Sequence, residues 1–151
     1  MKKYELTDDT ITVGGRILHR IKALKSFSDV EEGDLGGYVE KEDNLDHSGE
    51  AWVSGNAWVY GNARVSGDAR VSGDARVSGE NDYAAAKGFG REYRTTTFFR
   101  LQDGGIGVRC GCFCGTLEEF REKVKETHKE SKMGKEYLML ADLMEYKFKN
   151  A

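Results

Sequence analysis

The sequence predicts a mainly β fold built around a short left-handed parallel β-helix, and three observations predict it. One six-residue phrase occurs five times between Ala51 and Glu80: AWVSGN, AWVYGN, ARVSGD, ARVSGD and ARVSGE. Ala51, Ala57, Ala63, Ala69 and Ala75 hold one slot of the phrase, and Val53, Val59, Val65, Val71 and Val77 hold another. Alternate residues of an extended chain share a face, so both slots point inward and the residue between them points out. Each phrase then ends on glycine followed by Asn, Asp or Glu, where glycine supplies the positive φ of a tight corner. Three such edges close one triangular coil and bring residues eighteen apart into register. Val53 then lies under Val71, Val59 under Val77 and Ala57 under Ala75. On the outside the same register sets Trp52 on Arg70 and Trp58 on Arg76, cation–π stacks worth ~0.5–1 kcal/mol each.

The elements follow in chain order. Residues 1–34 form an N-terminal β cap: Thr10 to Val13 alternates, Gly14-Gly15 turns, and RILHRIKAL returns as a second strand. Residues 35–80 form the β-helix, whose pattern fades upstream, with His47 in a Val slot and Leu45 in an Ala slot. Two to three coils bury too little surface to stand alone, so their ends need caps or a second copy. Residues 81–93 form a linker with a glycine-rich basic tip. Residues 94–151 form a ββαα module: RTTTFFRL and GIGVRCGCF are strands about a QDGG turn, and two helices follow. Thr116 with Glu119 three residues on is a capping box that starts the first helix. The second runs from Lys135 to Phe148.

Composition narrows the functional classes. The chain has 151 residues, a formal net charge of −3, no proline and nineteen glycines. An acidic balance argues against general nucleic-acid binding. No apolar run is long enough for a membrane helix or a signal peptide, and the expected compartment is the cytoplasm. The three cysteines fall in one short segment, which fits a reducing environment better than a disulfide framework.

Two groups of residues carry candidate chemistry. Cys110, Cys112 and Cys114 share one face if the segment is a continuous strand, roughly 7 Å apart in succession. That is too far for an easy disulfide and lacks the second cysteine pair of a structural zinc site. These three are weak metal candidates beside a plainer role as small apolar packing. Cys114, just before a helix start, is also placed for a lowered thiol pKa, although no base is positioned beside it. The arginines are the stronger group. Arg91, Arg94, Arg100 and Arg109 lie in the linker tip and on two adjacent strands, and Arg94 and Arg100 share parity. With Thr116 at the helix N-terminus and His128 on the first helix, they form a candidate site for a phosphate or carboxylate. Ordinary solvated arginines balanced by nearby acids are the alternative.

The segments DLGGYVEKEDNL, the Gly-Asn/Asp-Ala repeats, and TTTFFR, GVRCGCFCGTLEEF, VKETH and KEYL together resemble a group of small phage and prophage proteins with hexapeptide repeats. The resemblance covers nearly the whole chain and implies action in the cytoplasm of an infected bacterium. The hexapeptide fold also hosts trimeric acyltransferases in which a histidine acts as base. That function is disfavoured here, because the repeat is short, no loop interrupts it, and His19, His47 and His128 are scattered. No residue is assigned a catalytic role and no cofactor is expected. The expected function is a non-enzymatic binding protein. It inhibits host defence by sequestering a small nucleotide-like anion, or it blocks or scaffolds a host protein. A homo-oligomer, dimer or trimer, is expected from the flat faces of the short repeat.

Overall fold

The chain begins with an antiparallel hairpin, β1 (Tyr4–Val13) and β2 (Arg16–Ala23), closed at Gly14 and Gly15 with φ of 55° and 82°. A computed structural model describes residues 2–92 and 94–149. Met1, Asn150 and Ala151, at the ends of the expected cap and C-terminal module, and Tyr93, at the end of the expected linker, lie outside the described residues. Strand β3 (Leu35–Val39) pairs antiparallel with β2, His19 opposite Val39. The repeat then contributes four two-residue strands: β4 (Trp52–Val53), β5 (Trp58–Val59), β6 (Arg70–Val71) and β7 (Arg76–Val77).

These short strands correct the expected fold class. They do not form a left-handed parallel β-helix; they are divided between two sheets. One is a mixed five-stranded sheet of order β1-β2-β3-β5-β7, and the other is the isolated pair β4-β6. Parallel pairs eighteen residues apart do occur, Trp52 with Arg70 and Trp58 with Arg76, but Tyr38 pairs with Trp58 across twenty. The physical reason is length. Each phrase offers two residues for pairing before its glycine corner, so the long sheet takes its extent from the antiparallel N-terminal hairpin.

The alanines and valines of the five phrases are all buried, with Tyr4, Ile21, Trp52 and Phe99 closing around them. Trp52 corrects a further expectation. It does not stack outward on Arg70 but is buried, with Tyr4 and Phe27 meeting its ring edge-on at 6.4 Å and 5.4 Å. The N-terminal segment covers this face of the repeat, whereas on another face Arg76 lies 3.7 Å over the half-buried Trp58 ring. His47 is fully hydrogen-bonded. Its Nδ1 accepts from the Lys3 N–H at 3.1 Å, which leaves Nε2 to donate to Glu42 at 2.8 Å, and its ring stacks on Tyr4.

After the repeat comes a four-stranded antiparallel sheet of order β11-β10-β9-β8, made of β8 (Tyr83–Phe89), β9 (Arg94–Arg100), β10 (Ile106–Cys110) and β11 (Phe113–Thr116). The expected ββαα module therefore gains two strands. The expected linker supplies β8, and the second expected strand breaks at Gly111, whose φ of 58° turns it into a hairpin. Helices α1 (Leu117–His128) and α2 (Lys132–Lys149) cover one face of this sheet. Phe98 joins Val108, Phe120, Tyr137 and Phe148 on the helix side, while its neighbour Phe99 points into the repeat core. Alternation along β9 thus joins the two halves. Arg121 links the helices, reaching Glu118, Asp142 and Glu145 at 2.8–2.9 Å.

Candidate functional site

Strand β9 keeps the expected arginines apart. Arg94 and Arg100 stand at its two ends, roughly 20 Å from each other at ~3.3 Å per residue. Arg100 donates to Asp82 at 3.0 Å and to the Phe148 carbonyl at 3.2 Å, in the last turn of α2 where carbonyls lack helical partners. Burial opposes charge on Asp82, but hydrogen bonds from Ser78 and Arg100 outweigh it and hold the carboxyl below its usual range. Arg94 is exposed and pairs with Glu92, and Arg91, three residues before Arg94, is exposed as well.

Thr116 is likewise occupied. Its hydroxyl accepts the Glu119 N–H at 3.2 Å, and its own N–H donates to Glu119 Oε1 at 2.8 Å, so the helix start is capped by the chain itself. His128 ends α1 with its ring 5.6 Å from Tyr137. The cysteines part company at the Gly111 turn. Cys110 accepts from the Thr96 hydroxyl at 3.3 Å beside Tyr137, Cys112 is exposed on the turn, and Cys114 lies 3.3 Å from the Ser72 hydroxyl on the opposite sheet face. Burial, reinforced by Cys110, raises the Tyr137 phenol far above its ordinary value. Among the described residues no group of His, Cys, Asp and Glu is arranged to hold a metal ion.

Arg109 leads to a different constellation. It points away from the helices toward the repeat, with Nε donating to the Gly111 carbonyl at 3.0 Å and a terminal nitrogen to Asp29 at 3.2 Å. Arg70, from the fourth phrase, reaches the other oxygen of Asp29 at 2.8 Å. Its backbone N–H donates to the buried Thr97 hydroxyl at 2.9 Å, which fixes the repeat against β9. Burial disfavours the Asp29 charge, but Arg70 first and then Arg109 outweigh it, so this carboxyl is held below its usual range. A cleft of about 440 Å³ opens around the trio, bordered also by Glu50, Asp68, Lys87, Glu92 and Arg94. Lys87 pairs with Asp68 at 3.4 Å, and no aromatic ring stands among the described residues of its lining.

The structure thus brings Arg94 and Arg109 to one cleft and leaves Arg100, Thr116 and His128 elsewhere. Arg91 borders a neighbouring groove with Arg94, Cys112 and His128. Asp29, Arg70 and Lys87 escape sequence reasoning. Arg70 has the same local pattern as Arg64 and Arg76, and only the docking of the C-terminal sheet distinguishes it. The chain matches no protein-family model, and no curated protein matches it. Among the described residues no helix is long and apolar enough to cross a membrane.

Proposed function

We propose that the protein is a non-enzymatic binding protein that sequesters a small phosphate-bearing anion in the cleft between the repeat and the C-terminal sheet. The convergence of Arg70 and Arg109 on one carboxylate carries this reading, since two sheltered guanidiniums from distant parts of the chain grip both oxygens of Asp29. A volume of about 440 Å³ suits a ligand of nucleotide size, although the described lining offers charge rather than a stacking platform. Recognition is therefore of the phosphate group. Inhibition of a host defence by this sequestration rests on the resemblance to small phage proteins.

Native mass spectrometry of the purified protein, with the small molecules released on denaturation identified, tests the proposal. The expected result is a phosphate-bearing adduct that disappears in Arg70→Gln and Arg109→Gln. An adduct that persists in both variants, or a protein free of any adduct that also fails to take up nucleotides, removes it. Blocking or scaffolding of a protein partner is the second reading. One observation favours it: Met139 and Leu143, one turn apart on α2, are 71% and 57% exposed.

A further inference from the structure

Two guanidiniums facing a single carboxylate are unequally matched. Arg70 and Arg109 bring two positive charges to Asp29, which returns one. The rest of the cleft is matched pair by pair, Lys87 with Asp68 and Arg94 with Glu92, and Glu50 at its border makes the assembled rim neutral. Exposure is unequal too. The arginine side chains are only 15% and 19% exposed, whereas the Asp29 side chain is 62% exposed. The cations are built in and their counter-charge stands in front of them.

The delivery of Asp29 also has a built geometry. Phe27 and Val30 exchange two backbone hydrogen bonds, at 2.9 Å and 2.8 Å, which makes Ser28 and Asp29 the tip of a tight turn. Ser28 adopts a φ of 50°, a conformation that glycine takes freely and serine does not. Phe27 is anchored on Trp52 and Val30 is buried. The turn is thus held by its own bonds and anchors and does not depend on the ion pairs of the Asp29 side chain. The Arg109 guanidinium has a second anchor in the Gly111 carbonyl, and the Arg70 backbone is fixed by Thr97, while the sheltered Arg70 guanidinium has Asp29 as its partner.

We propose that Arg70 and Arg109 form a two-guanidinium site for a phosphate group, and that Asp29 is a built-in competitor that occupies it until such a ligand displaces it. This deepens the reading of the protein as an anion-binding protein and rests on it. Phosphate is favoured over carboxylate because a phosphate monoester or a diphosphate carries more than one negative charge near neutral pH and so matches two guanidiniums. The competitor sets a threshold: weak monovalent anions do not open the site, and multiply charged ones do.

Calorimetric titration of the full chain with inorganic pyrophosphate at low ionic strength tests this, with acetate as the monovalent carboxylate probe. Asp29→Asn is expected to bind pyrophosphate at least ten-fold more tightly than the wild type and to prefer it to acetate. Adding Arg109→Gln is expected to abolish that gain. Thermal unfolding serves as the folding control, and pyrophosphate is expected to restore whatever stability Asp29→Asn loses. Equal pyrophosphate affinity in wild type and Asp29→Asn overturns the role of Asp29 but leaves the anion-binding reading standing. A gain that survives Arg109→Gln overturns the assignment of the site. If neither protein binds pyrophosphate, or Asp29→Asn is destabilised and pyrophosphate does not restore it, Asp29 is only a structural stitch; in the first case the anion-binding reading falls as well.

Discussion

Lys3 shows how a single residue can be decided by its surroundings. Its ammonium is fully buried and donates to the Ala51 carbonyl at 2.6 Å, 5.1 Å from the centre of the Phe27 ring. Burial, the dominant influence, lowers its pKa from 10.5 to about 8. The unfolded chain then holds more protons than the native chain between pH 8 and pH 10.5, so this residue's contribution to stability rises with pH across that window. From pH 8 to pH 9.5, before tyrosines titrate, the stability of the wild type relative to Lys3→Met is expected to rise by about 1–2 kcal/mol. Urea unfolding at each pH measures it, and a flat difference contradicts a depressed lysine. Gly36 is another residue whose meaning is tertiary. A Cβ there would sit 2.5 Å from the Val53 carbonyl oxygen, so β3 packs this closely only with glycine.

At the scale of the element, the start of α1 is the most local structure in the chain. The capping box is complete within four residues, and Glu118 and Glu119 in the first turn favour the positive end of the helix. Thr116→Ala removes the acceptor for the Glu119 N–H and is expected to cost ~1 kcal/mol, read as a lower urea midpoint with an unchanged slope. Thr116→Asp, which can still cap, is expected to retain most of that stability. This element was legible because both partners, Thr116 and Glu119, are neighbours in sequence. The break between β10 and β11 was not, although its signal was present. Gly111 between two cysteines marks a turn, but the apolar run GIGVRCGCF reads equally well as one strand until Cys110 is seen opposite Phe113.

The whole molecule is held by β9, which turns Phe98 toward the helices and Phe99 and Thr97 toward the repeat. Thr97→Val keeps the shape but leaves the Arg70 N–H without its acceptor at a buried contact, a loss expected to cost ~1–3 kcal/mol. Both tryptophans lie in the repeat and both long helices in the C-terminal half. Unfolding followed by tryptophan fluorescence and by helical circular dichroism should therefore shift together in this variant. Separate shifts would show that the halves unfold independently.

The sequence by itself determined what depends on near neighbours: which alanines and valines turn inward, where Gly14-Gly15 reverses the chain, and where α1 begins. It also marked the arginines as the side chains to watch. Only the tertiary structure decided how the repeated edges are shared between a mixed sheet and an isolated pair, and which face of the repeat the N-terminal segment covers. It alone brought Asp29 to Arg70 and Arg109, forty-one and eighty residues away. Backbone preferences and side-chain alternation act over a few residues and leave a periodic trace. Contacts across such separations depend on how whole elements dock, and they leave none.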